Sequence, residues 1–173
     1  DSIGVRLEDL KAYPKETMGA LCNWMGVQES PTLYEMTAQG KKWWGDPSSP
    51  DYSPKGMSPF DESAIKRSVG TIFSEQDQFV LRTLFYPFSV SFGYVEADSE
   101  QFKKDLQTIK SLLDEPFDFE KKLAQLSDMP IETFLKSGSS LYFRAGLHAR
   151  WEVLDEFHDY PHMLKPLIIS VRK

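Results

Sequence analysis

Apolar positions recur at helical spacing along most of the chain, and few runs alternate. Met18, Leu21, Cys22 and Met25 repeat at three and four residues, which puts them on one face of a helix. Glu8 and Asp9 suit the positive start of a helix, Pro14 fits a first turn, and Gly26 is placed to end the helix. Ser30-Pro31 opens a short helix near residues 31–38, which Gly40 stops. Asp61 to Ser68 reads as a helix. Ser74-Glu75-Gln76-Asp77 starts another, whose apolar face is Phe79, Val80, Leu84 and Phe85 and which Pro87 interrupts. Residues 98–114 form a charged amphipathic helix with Phe102, Leu106, Ile109, Leu112 and Leu113 on one side. Helices near 117–126, 130–136 and 140–158 follow, and an apolar piece, Leu164 to Val171, closes the chain. Only residues 5–7 read as the end of a strand. The expected fold is mainly α, an irregular helical array with at most a short strand near the N-terminus.

The composition is that of a soluble globular protein: 173 residues, 40% hydrophobic and 27% charged, with twelve Phe, seven Tyr and four Trp. Such a chain suits one domain or two small ones. Composition shifts after Phe92-Gly93-Tyr94, so we expect one segment over 1–94 and a helical extension of unassigned role over 95–173. The net charge of −6 argues against a nucleic-acid partner, which requires a basic face. It leaves room for a local basic patch on one phosphorylated ligand. Cys22 is the single cysteine, so no intrachain disulfide forms, and a cytoplasmic location is expected. On the buried stripe of its helix, Cys22 reads as a small core residue. No run approaches the about 18 apolar residues of a membrane span. Within the Pro/Gly/Ser-rich stretch 40–60, Trp43-Trp44 reads either as a pin holding the loop to the core or as a stacking surface for a flat ligand.

The start of the chain carries a recognisable order of residues. Val5-Arg6-Leu7-Glu8-Asp9-Leu10 is followed by Pro14-Lys15-Glu16-Thr17 and by Leu21-Cys22-Asn23-Trp24-Met25-Gly26-Val27. Further on stand Ile65-Lys66-Arg67-Ser68-Val69-Gly70-Thr71, Phe73-Ser74-Glu75-Gln76-Asp77, Leu84-Phe85-Tyr86-Pro87-Phe88 and Phe92-Gly93-Tyr94. Over residues 3–94 this order resembles the C-terminal half of sulfotransferases of the bacterial type that use 3'-phosphoadenylyl sulfate. In that family the opening segment sits well inside the domain, so the resemblance implies that the chain holds the back half of such a domain.

Sulfuryl transfer from a nucleotide needs backbone amides and a lysine on the 5'-phosphosulfate, usually at a helix N-terminus. It also needs basic groups and hydroxyls on the 3'-phosphate and a general base for the acceptor proton. By the resemblance, Lys66 and Arg67 supply charge to the 3'-phosphate, Ser68 a hydroxyl, and Gly70 close backbone approach. The ordinary reading of Lys66 and Arg67 is a solvated helix face. The Gly-Asp-Trp that follows in animal members is absent there; Trp44-Gly45-Asp46-Pro47 stands upstream instead. No catalytic residue is assigned, because neither the phosphosulfate loop nor the base precedes Val5.

Two later features invite a chemical reading. Leu135-Lys136-Ser137-Gly138-Ser139-Ser140-Leu141 is similar to the family's Lys-Ser-Gly-Thr-Thr loop, which would imply a permuted domain or a second copy. A Gly/Ser turn that caps the next helix from Ser139 or Ser140 explains it as well. His148 and Glu152 are four apart on one helix, as are His158 and His162 across Pro161. That spacing suits a metal pair, yet no Cys-rich or His-Glu-x-x-His pattern supports one, and no metal is expected.

The expected function is part of a sulfotransferase that moves a sulfuryl group from 3'-phosphoadenylyl sulfate to a hydroxyl or amine of a small-molecule or glycan acceptor. This chain would supply the 3'-phosphate side and the acceptor wall, and would bind adenosine 3',5'-bisphosphate without being active alone. A face left open by a missing N-terminal half would favour homo-oligomers. The alternative is a non-catalytic helical interaction module built on the amphipathic helices at 98–113 and 117–126.

Overall fold

A computed structural model describes residues 2–35, 37–38, 41–42, 48 and 72–171. The chain divides into two compact units, Asp1–Arg67 with Leu164–Lys173, and Ser68–Met163. The described residues are mainly helical, as the apolar spacing predicts. Among the described residues no helix is long and apolar enough to cross a membrane.

The first unit begins with strand β1 (Ile3–Gly4), then helices α1 (Leu7–Ala12) and α2 (Pro14–Met25). The strand lies just before residues 5–7, because Leu7 already belongs to α1, with Glu8 and Asp9 in its first turn. Tyr13 leaves helical geometry between the two helices, and Pro14, which has no N–H to satisfy, starts α2. The buried Thr17 hydroxyl donates to the Asp9 carbonyl at 3.0 Å and ties the two helices together. Gly26 ends α2 at φ 68. Its N–H donates to the Asn23 carbonyl, and the next N–H, of Val27, donates to Cys22. This double bond needs the left-handed conformation that glycine adopts at little cost.

The helix expected near 31–38 does not form. Pro31–Tyr34 makes one 3₁₀ turn, capped by Ser30, and Glu35 is already extended. Strand β2 (Thr37–Ala38) then pairs antiparallel with β3 (Lys41–Lys42). The backbone is extended at Glu35, so the turn that Ser30 caps has no helical ladder to join. The last strand, β4 (Lys165–Pro166), pairs parallel with β1, Ile3 against Lys165 and Gly4 against Pro166. The bond from Leu167 N–H to the Gly4 carbonyl, 2.7 Å, continues that pairing. Among the described residues of this unit, Cys22, Leu167 and Ile169 are the buried apolar ones.

The second unit contains α3 (Glu75–Leu84), α4 (Tyr86–Ser91), α5 (Ser99–Ile109), α6 (Asp118–Leu126), α7 (Ile131–Phe134) and α8 (Gly138–Phe157). Its α3 packs against α5 and α8, and α5 against α8. Residue 94, where composition shifts, lies inside this unit between α4 and α5. The core holds Val80 and Leu84 from α3, Phe102, Leu106 and Ile109 from α5, Leu113 and Phe117 beyond it, and Leu147, Trp151 and Leu154 from α8. The amphipathic stripe of α5 is thus used within the unit. Its helix stops at Ile109 rather than near 114, and a 3₁₀ turn, Lys110–Leu112, follows. Pro87, whose ring opposes a helical carbonyl four residues back, makes Phe85 a corner between α3 and α4.

Candidate functional site

Lys66, Arg67, Ser68 and Gly70, and the pair Trp43-Trp44, lie outside the described residues. The helix start just after them is described. The Asp77 N–H donates to Ser74 Oγ, and Asp77 Oδ2 accepts from the Ser74 N–H, both at 3.2 Å. Asp77 is 3% exposed, and its second oxygen accepts from the Asp118 N–H at 3.1 Å. One carboxylate therefore caps α3 and receives the first amide of α6.

The Lys136–Ser140 turn is the cap of α8. Ser137 is the capping residue, accepting from the Ser140 N–H at 3.4 Å, so the cap lies earlier than Ser139 or Ser140. Ser140 is buried, and its hydroxyl donates to Glu120 Oε1 at 2.5 Å. Glu120 Oε2 accepts from Arg144 Nη2 at 2.6 Å and from the Phe117 N–H at 3.0 Å. Arg144 also donates to the carbonyls of Leu113 and Glu115. A helix start rich in small hydroxyl residues attracts an anion, and here the anion is the chain's own Glu120 carboxylate. An external phosphate on this turn would meet that negative charge.

The histidines serve three different roles. Nε2 of His148 lies 3.0 Å from Asp114 Oδ1, so it pairs with Asp114. His158 takes a left-handed φ of 57 and donates its N–H to Leu154, ending α8. His162 lies in the wall of a cavity. Among the described residues no three metal-ligating side chains come together.

That cavity, of about 480 Å³, is built from the Phe85 corner, the C-terminal half of α8 and the segment 160–163. Arg150, Val153 and Phe157 follow one another at three and four residues and so share one face of α8. Phe85 and Phe88 face it from the α3–α4 corner. The left-handed His158 turns the chain back, and the Tyr160 hydroxyl donates to the Leu84 carbonyl at 2.6 Å. That carbonyl belongs to the last turn of α3, where helical acceptors lack partners. The Arg150 guanidinium lies 5.1 Å from the Phe85 ring centre. Burial pushes the Tyr160 phenol above its usual value, against the opposing pull of the neighbouring Arg150. Outside this cavity, Tyr34 is pushed up to about 12 by its 2.5 Å bond to the Glu29 carboxylate.

The raised Tyr160 value fixes a sign. The folded chain holds this proton more tightly than the unfolded one, so its stabilisation is complete below about pH 10 and is lost as pH rises further. At pH 8, Tyr160→Phe should cost about 1 kcal/mol for one hydrogen bond, measured by urea unfolding. The gap between the two proteins should narrow above about pH 10; a gap that stays constant to pH 11.5 would contradict the assignment.

Of the cavity residues only His162 stood out as chemical in the sequence, for its spacing from His158. Phe85 counted as an apolar face residue, and the readable signal was the Arg150, Val153, Phe157 spacing with an arginine on an apolar stripe. Comparison with known proteins finds no family model, no curated protein and no solved structure that matches the chain.

Proposed function

We propose that the chain forms the 3'-phosphate side and acceptor wall of a sulfotransferase that uses 3'-phosphoadenylyl sulfate. Lys66 and Arg67 would bind the 3'-phosphate, Ser68 would add a hydroxyl and Gly70 would let the backbone approach. Arg67 suits the task because its planar fork binds two phosphate oxygens at once, whereas Lys66 acts as a point charge. Local structure supports the reading where the resemblance begins: a strand leads into two helices, and the second ends on a left-handed Gly26. The observation that carries most weight is the parallel pairing of β1 with β4. Parallel pairs are typical of α/β domains with covered sheets. A cytoplasmic setting fits the single buried Cys22.

Adenosine 3',5'-bisphosphate at one hundred times its dissociation constant should stabilise the chain by roughly 2.7 kcal/mol. For this length that raises the melting temperature by about 5–10 °C. Arg67→Ala should abolish most of the rise. A rise that survives in Arg67→Ala, or none in the parent chain, would overturn the reading. The chain alone is expected to bind without transferring sulfuryl, since no phosphosulfate loop or base is assigned in it.

A further inference from the structure

The cavity of about 480 Å³ beside α8 falls within the about 300–1,000 Å³ of small-molecule sites. Its walls are mostly apolar and aromatic, and three of the aromatics, Phe85, Phe88 and Phe157, keep 38–54% of their surface exposed. Exposed aromatics gathered in one concavity mark a place where something docks. The lining contains no carboxylate, although the chain as a whole carries −6. It contains one guanidinium, Arg150. Among the described residues Arg150 has no carboxylate within ion-pair distance. Stacking on Phe85 at 5.1 Å holds it against the wall, so little is lost in ordering it.

We propose that this cavity binds an aromatic organic monoanion, its acidic group on Arg150 and its ring among Phe85, Phe88 and Phe157. One fixed cation matches one negative charge, and a multiply charged phosphate would leave charge uncompensated against apolar walls. Flat rings are favoured because they stack on the phenylalanine faces and edges that line the site. The inference is independent of the transferase reading, whose phosphate residues are Lys66, Arg67, Ser68 and Gly70.

The test uses the full chain and two dyes that share one aromatic body. 1-Anilinonaphthalene-8-sulfonate carries a single negative charge, and N-phenyl-1-naphthylamine is neutral. Fluorescence titration should show saturable binding of the sulfonate at one site per chain. Arg150→Gln should weaken the sulfonate about tenfold or more, as expected for a charge-assisted contact. The same variant should change the neutral dye by no more than about twofold. Phe157→Ala should weaken both dyes, and 2-naphthoate should displace the sulfonate. Arg150 is exposed on α8, so its variant should melt as the parent does; thermal melts of each variant check this. Unchanged sulfonate binding in Arg150→Gln would overturn the proposal. So would loss of the sulfonate in Arg67→Ala, which would locate it at the other site. A dimer in sedimentation velocity that dissociates in Phe88→Ala would show that a second copy covers the cavity, and would overturn it too.

Discussion

Replacing Glu120 with alanine is expected to destabilise the chain by about 3–5 kcal/mol, the usual cost of removing one partner of a buried ion pair. Glu120 is 1% exposed. Its carboxylate accepts from Ser140, Arg144 and the Phe117 amide. The amide opens α6, and Ser140 and Arg144 lie in the first two turns of α8. Alanine would leave the buried Ser140 hydroxyl and the Phe117 amide without this acceptor, and would leave the Arg144 guanidinium, still held by the Leu113 and Glu115 carbonyls, without its counter-charge. Glu120→Gln keeps an acceptor for Ser140 but removes the charge, so its cost should lie between that of alanine and zero. Glu120→Leu with Arg144→Met tests the mechanism, since a pair replaced by apolar side chains can be nearly neutral. The double variant should therefore be more stable than Glu120→Ala, with a coupling of about 1–3 kcal/mol in the full cycle. Urea unfolding of the parent, Glu120→Ala, Glu120→Gln, Glu120→Leu, Arg144→Met and the double variant measures these costs, and an alanine cost below about 1 kcal/mol would refute the role given to this carboxylate.

Trp151→Ala should cost a similar amount, about 3–5 kcal/mol. Its indole is 7% exposed within the cluster of Val80, Leu84, Leu106, Ile109 and Leu154. The indole N–H donates to the Leu106 carbonyl at 2.8 Å. That carbonyl lies in the last turn of α5, where intrahelical donors run out, so the side chain fills the core and caps a helix at once. Lys110 covers the outer face of the ring at 4.5 Å. Trp151→Phe separates the two roles. It keeps most of the apolar volume and leaves the Leu106 carbonyl without this donor, at a cost of about 1–3 kcal/mol. Equal losses in the alanine and phenylalanine variants would mean that the hydrogen bond, not packing, dominates at this position.

Elements with a local cause were legible in the sequence. Of the stripe Phe102, Leu106, Ile109, Leu112 and Leu113, all but the half-buried Leu112 are buried, Ser74 and Asp77 start α3, and Gly26 ends α2 in the conformation its type favours. What escaped depends on partners far apart in the chain. Glu120 and Arg144 are 24 residues apart, and Tyr160 and Leu84 are 76 apart. No periodicity encodes such pairings. The same holds for β1 and β4, each only two residues long. The error over 31–38 is of another kind: Ser30-Pro31 is a genuine helix start and caps one turn, but Thr37 and Ala38 pair as strand. The Lys136–Ser140 turn was legible as a cap but not as an anion site already filled, because its anion comes from α6. Of the candidate site residues, Lys66, Arg67, Ser68 and Gly70 rest on the resemblance alone, and the aromatic cavity emerged only once α8 and the Phe85 corner were in place.

Recognition of a 3'-phosphate is the claim on which the functional account stands. Isothermal titration of the chain with adenosine 3',5'-bisphosphate, against adenosine 5'-monophosphate at the same salt, tests it most directly. The account predicts one saturable site for the bisphosphate, at least about tenfold tighter than for the monophosphate, since the contact to the 3'-phosphate is charge-assisted. It also predicts weakening as salt rises, because exposed charges are screened. Equal affinity for the two nucleotides, or no heat with either, would contradict it.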